Sequence, residues 1–193
     1  MKIGYAFCGS YCTHRASLDA MRSLLYMGHE IIPIVSENAA STDTRFGKAQ
    51  DFLYELGAET GRAPICSIRE AEPLGPSEPL DVLIIAPCTG NTLAKIASGI
   101  TDTTVCMAAK AHARTTRPIL IALASNDAMS SNLPNIGIML ARKNVFFVPM
   151  IQDDPLKKPH SLIADFSRIP EALQALTNAQ QLRPLFCILM PLL

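Results

Sequence analysis

The feature that most constrains this chain is its alternation of short apolar runs with stretches of helical periodicity. Runs of four to eight apolar residues bounded by turn signals read as buried strands, and helices between them put layers on both faces of a parallel sheet. Strands are expected over Lys2–Cys8, Glu30–Val35, Asp81–Ala86, Pro118–Ala124 and Asn144–Val148, with a weaker one near Ala63–Ser67. That makes about six. Helices are expected over 13–27, 45–56, 92–98, 103–114 and 133–143, and over 161–177 with a kink near Pro170. In the first helix Ala16, Leu18, Met21, Leu24 and Leu25 form the apolar stripe, and Gly28 stops it. Pro73-Leu-Gly-Pro-Ser-Glu-Pro79 reads as a rigid surface loop, because three prolines deny the backbone the donors regular structure needs. The fold class is therefore α/β: one Rossmann-like or flavodoxin-like doubly wound domain over residues 1–180, with a tail over 181–193.

Charge excludes whole classes of partner. Lys plus Arg and Asp plus Glu both number 17, which removes the electrostatic case for nucleic acid or an anionic membrane. Met1-Lys2 runs directly into the first strand without the apolar core and cleavage site of a signal peptide, and no apolar run approaches a membrane span. The six cysteines form no CxxC pair and no zinc set, so they read as reduced thiols of a cytoplasmic protein. The apolar stretch from Phe186 to Leu193 is too short to span and is expected to pack on a neighbouring subunit.

Open α/β sheets bind ligands outside the carboxyl ends of their strands, so the exits carry the information. The first strand leads to Gly9-Ser10, where a glycine admits a close ligand and a helix start offers free N–H groups. The second leads to Ser36-Glu37-Asn38, whose hydroxyl suits a phosphate or a helix cap. The strand ending at Ala86 is the richest: Pro87 is expected to end its ladder, and Cys88-Thr89-Gly90-Asn91-Thr92 offers a hydroxyl, an amide and a helix start capped by Asn91 or Thr92. There Gly90 permits packing against a flat ring, and Asn91 both gives and accepts hydrogen bonds. Ser125-Asn126-Asp127 adds a fourth polar exit at the same edge. There is no GxGxxG, hence no dinucleotide fingerprint, and no GxSxG elbow.

The segment Ala86-Pro-Cys-Thr-Gly-Asn-Thr-Leu-Ala-Lys-Ile-Ala-Ser-Gly-Ile-Thr-Asp102 resembles the signature of the FMN-binding flavoprotein superfamily, which includes phosphopantothenoylcysteine decarboxylases and flavin prenyltransferases. Within it the chain is most similar to the dipicolinate synthase B-subunit branch, through Gly9-Ser10, 41–47, 71–76, 107–110, Ser125-Asn-Asp-Ala128 and the block 144–159. The resemblance implies FMN held by Gly9, Ser10, Ser36, Cys88, Thr89, Gly90 and Asn91, in a homo-oligomer. It further implies a sporulation role: with a separate A subunit, oxidation of a dihydrodipicolinate-type precursor to pyridine-2,6-dicarboxylate, any NADP lying on that partner. The alternatives are a decarboxylase or prenyltransferase relative, or a non-catalytic FMN scaffold for the A subunit. The chain departs from the decarboxylases: no histidine lies between His29 and His112, and Ser125-Asn126-Asp127-Ala128-Met129 replaces their Pro-Ala-Met-Asn, which speaks against cysteine decarboxylation. His14, His29, His112 and His160 read as solvated. Asn126 and Arg45 are the candidate substrate contacts, with Arg117 and the Lys157-Lys158 pair as further cations for a phosphate or carboxylate.

Overall fold

In the computed structural model, which describes residues 1–187, a twisted sheet carries helices on both faces. Its parallel part is β2(Glu30–Val35)-β1(Lys2–Phe7)-β3(Val82–Cys88)-β4(Ile119–Ser125)-β5(Val145–Phe147). The end of β4 also pairs antiparallel with β7(Leu162–Ala164), which continues to β6(Met150–Ile151) and β8(Phe186–Cys187). The sheet thus has eight strands where about six were expected. The two- and three-residue additions are too short to show a period in the sequence.

Strand residues alternate between two cores, as pleating requires. Leu83 and Ile85 join the core beneath α4(Ile68–Ala71), α5(Gly90–Ala97), α6(Thr104–Ala113) and α7(Leu133–Leu140). Val82, Ile84 and Ala86 join the core beneath α1(His14–Tyr26), α3(Ala49–Thr60) and α8(Ile169–Thr177). Every residue of β3 is buried, which is why the strand reads as continuously apolar.

Several expectations need correction, each for a local reason. Residues 162–164 form β7 rather than helix, and Pro170 lies in the first turn of α8, where a missing N–H costs nothing. The weak strand near 63–67 reduces to one bridge, Ile34 to Ile65. The helix expected over 45–56 is α3, and Gly61 in the left-handed conformation ends it. The polar loop after β2 holds a short helix, α2(Glu37–Ser41). Pro87 does not end its ladder: β3 runs on to Cys88, and the missing donor falls at a register shift against β4. In α1, Ser17 rather than Ala16 is buried; its Oγ donates to the Ala86 carbonyl at 2.5 Å, and Tyr5 Oη donates to the Ser17 carbonyl at 2.9 Å. That network pins α1 to the last residues of β3. In the 73–79 loop Leu74 is buried and Gly75 packs on the Ala111 carbonyl, where a Cβ would stand 2.5 Å away. The residues from Ile188 to Leu193, the end of the expected tail, lie outside the described residues. Before them, Gln181 binds both backbone groups of Phe147, at 2.8 and 2.7 Å.

His112 is not solvated but fully buried at the end of α6. Its Nε2–H donates to the Pro118 carbonyl at 2.9 Å, while Nδ1 has no partner. Burial holds its pKa below the ordinary imidazole value; the Pro118 carbonyl opposes this and the nearby Arg117 charge assists. The folded chain therefore resists a proton that the unfolded chain takes up near about pH 6.5, so stability falls as pH drops below that value. His14 is lowered for the same first cause and adds to the slope. Thermal melts from about pH 7 to about pH 5 should show a falling Tm. His112→Gln, which keeps a donor for Pro118, should make the fall shallower; an identical slope would exclude His112 as its source.

Candidate functional site at the β1/β3 crossing

The chain moves from β1 outward to β2 and then crosses back to β3, so the winding reverses between β1 and β3. Loops diverge at such a point and leave a crevice above the strand ends. Backbone bonds join the exits around it: Cys8 N–H donates to the Pro87 carbonyl at 3.2 Å, and Ser36 N–H to the Phe7 carbonyl at 2.9 Å. Gly9, Ser10, Ser36, Cys88, Thr89, Gly90 and Asn91 thus gather at one rim, because their strands are neighbours.

The two glycines differ in kind. At Gly9 a Cβ would touch only the Tyr11 ring, at 3.7 Å and beyond, and φ is not in the left-handed region. Neither the backbone nor the packing requires glycine there. At Gly90 a Cβ would stand 2.5 Å from Asn132 Nδ2 and 2.7 Å from Asp127 Oδ1, and would also strike Ser125 Oγ. The side on which Gly90 would carry a Cβ is thus filled by the protein's own polar trio. Ser125 Oγ donates to Asp127 Oδ1 and Asn132 Nδ2 donates to Oδ2 at 2.9 Å; the Ser125 bond first, then that from Asn132, holds this carboxyl below its usual pKa.

The hydroxyls have local partners. Ser10 Oγ accepts from Thr13 Oγ1 at 3.1 Å. Ser36 caps α2 by accepting from Ala39 N–H at 3.4 Å. Thr89, rather than Asn91 or Thr92, caps α5, accepting from Thr92 N–H at 3.2 Å. Asn91 is exposed in the first turn of α5. Cys88 is fully buried, and burial raises its thiol pKa. Burial likewise pushes the Cys8 thiol up to about 12, which removes it as a nucleophile.

Asn126 is exposed on the β4 exit, to one side of the crossing. Arg45 lies on the other side, on the loop after β2, its guanidinium 4.8 Å over the Phe46 ring. Phe46 lines a cleft of about 260 Å³ with Tyr11, His14, Thr44 and Lys48. Arg117 does not reach the rim. It sits before β4, bound to the Leu80 carbonyl at 2.6 Å and near Asp81, at the amino end of the sheet. Of the lysine pair, Lys158 is committed to Asp153 at 2.9 Å.

Glu37 was missed by sequence reasoning. Its Oε1 accepts from Thr104 N–H and Oγ1, both at 2.8 Å, while Oε2 is buried without a partner. An oxygen in that state calls for a donor. The neighbouring hydroxyls and first-turn amides suit a phosphate, Glu37 Oε2 suits a sugar-like hydroxyl, and open Gly9 admits a close body. This donor set fits a phosphorylated ribityl cofactor such as FMN. Among the described residues, no cluster of His, Cys, Asp or Glu could hold a metal ion.

The sequence model of the family described as Flavoprotein matches residues 1–155. The chain belongs to the Flavoprotein family. It is 41% identical over 184 residues to the B subunit of dipicolinate synthase from Bacillus subtilis (strain 168), covering 95% of this chain and 92% of that one. The crystal structure of the corresponding dipicolinate synthase polypeptide from Bacillus halodurans C matches with a TM-score of 0.88 and 36% identity, over 96% of this chain and 95% of that one. The FMN-dependent cysteine decarboxylase SpaF, at 22% identity and a TM-score of 0.65 over 93% of this chain and 97% of its own, shares the flavoprotein fold.

Proposed function

We propose that this Flavoprotein-family chain is the FMN-binding subunit of a dipicolinate synthase, acting with a separate A subunit on a dihydrodipicolinate-type precursor. The observation that carries the reading is 41% identity with the B. subtilis protein over 95% of this chain, combined with a rim whose polar groups suit FMN. Gly9, Ser10 and Ser36 take the phosphate end, and Glu37 Oε2 accepts from a ribityl hydroxyl. Thr89, Gly90 and Cys88 meet the ring through their backbone, and Asn91 bonds its polar edge. Bound there, FMN would supply a hydride acceptor for aromatising a dihydropyridine to pyridine-2,6-dicarboxylate. Asn126 and Arg45, on opposite sides of the crossing, orient the two carboxylates, and Lys157 on the 152–160 hairpin supplies a further charge. With no dinucleotide fingerprint in this chain, NADP belongs to the A subunit.

The protein is a homo-oligomer in this reading. The apolar residues Leu133, Ile138 and Leu140 on α7 are exposed in the single chain, and a second copy would cover them. The setting is the cytoplasm of a sporulating cell.

Reconstitution tests the whole. Purified protein plus FMN should take on a flavin absorption band, and pyridine-2,6-dicarboxylate should form at full rate only with both subunits and FMN present. Full-rate synthesis by the A subunit alone would overturn the reading. Release of carbon dioxide in place of aromatisation would favour a decarboxylase.

A further inference from the structure

A second cavity, of about 340 Å³, lies at the other end of the molecule. Ile119, the first residue of β4, is its floor, and the flavin rim begins six residues further along the same strand. At the rise of a strand, Ile119 and Ser125 are about 20 Å apart, while Cys106 on the α6 wall of the cavity lies two residues from Thr104, which holds Glu37. The cavity shares no lining residue with the crossing described above.

Its walls have one chemistry below and another above. Ile96, Ile100, Ala109, Ala113 and Ile119 make an apolar trough, open because α6 presents alanines at 109 and 113 where larger side chains would fill it. Lys110, Arg114 and Arg142 surround it, and no carboxylate lines it. The nearest acidic group in sequence, Asp102, is engaged by Lys95 at 2.9 Å. Lys110, Arg114 and Arg142 enter no ion pair among the described residues. Arg142 is held in place by the carbonyls of Ala97 and Ile96, at 3.0 and 3.4 Å, through one of its nitrogens, leaving its other N–H groups to a ligand. In a chain of zero net charge, three unopposed cations around an apolar trough are a local excess. The volume falls within the range of small-molecule sites, roughly 300–1,000 Å³.

We propose that this cavity binds an amphipathic carboxylate: a body the size of one aromatic ring or a short alkyl chain in the trough, its negative charge among Lys110, Arg114 and Arg142. The proposal does not depend on the flavin reading. Calorimetric titration of the FMN-saturated protein with octanoate, and separately with octylammonium, tests the charge sign and leaves the crossing occupied. Octanoate should bind and octylammonium should not. Affinity for octanoate should fall several-fold as salt rises from about 50 to about 500 mM. Lys110→Glu with Arg114→Glu, both exposed and thus compatible with folding, should weaken octanoate about tenfold or more, a loss of about 1.4 kcal/mol. Ala113→Trp should fill the trough and block binding. FMN affinity should not change in either variant. Equal binding of the two ions, no binding of either, or octanoate affinity untouched by the charge reversals would overturn the proposal.

Discussion

Gly9→Val should weaken FMN binding by about a hundredfold or more, equivalent to roughly 2.7 kcal/mol, with little change in the melting temperature of the cofactor-free protein. The reason is the asymmetry between this glycine's surroundings and its backbone. A Cβ at Gly9 meets nothing closer than the Tyr11 ring at 3.7 Å, and its φ is not in the left-handed region. An added side chain strains nothing in the empty protein, and substitutions of that kind usually stay within about 0.5 kcal/mol. The same side chain would project into the crevice where the β1 and β3 exits separate. Flavin fluorescence quenching measures the affinity, and thermal melting without FMN measures the fold. If the variant binds FMN as the parent does, the crossing is not the flavin site. If it melts far lower, Gly9 has a structural duty that its surroundings do not reveal.

Gly90→Ala should give the opposite outcome, a loss of stability before any question of binding arises. The new methyl would collide with Ser125 Oγ, with Asn132 Nδ2 at 2.5 Å and with Asp127 Oδ1 at 2.7 Å. Overpacking of this kind costs about 1–3 kcal/mol, or roughly 3–10 °C in Tm for a chain of this length. Collision with a hydrogen-bonded trio leaves less room to relax than collision with a free side chain. Asn132 is the partner that can be removed. In a double-mutant cycle, Asn132→Ala should recover part of the loss in the Gly90→Ala background while itself destabilising the parent. Purely additive effects would mean that the trio does not press on Gly90. The two glycines lie on adjacent exits, yet a Cβ has room at the first and would strike the protein itself at the second.

Much of this was readable in order. The alternation of apolar runs and helical stripes specified a doubly wound parallel sheet, and the polar residues after each strand pointed to the edge proposed for the site. Both inferences rest on local periods, two residues for a strand and 3.6 for a helix, which a linear chain displays directly. The short strands β6, β7 and β8 display no such period and owe their existence to the exposed edge at the end of β4. Pro170 illustrates the same limit: a proline in a helical pattern reads as a kink, whereas the preceding residues are drawn into the sheet and leave it at a helix start.

The site divides along the same line. Gly9, Ser10, Ser36 and the 88–91 segment are legible because each directly follows a strand, and strand exits can be counted along the chain. Arg117 stood out as a cation, but only the fold places it at the wrong end of the sheet. Glu37 is 67 positions from Thr104, and their hydrogen bond exists because β2 and α6 pack in three dimensions. The reason for Gly90 lies 35 to 42 residues away, in Ser125, Asp127 and Asn132. Sequence alone therefore determined the class of fold and singled out the rim proposed for the flavin, since both follow from short-range pattern. Tertiary structure decided which polar groups are spent on one another and which remain for a ligand, because burial and contact depend on residues the chain brings together only by folding.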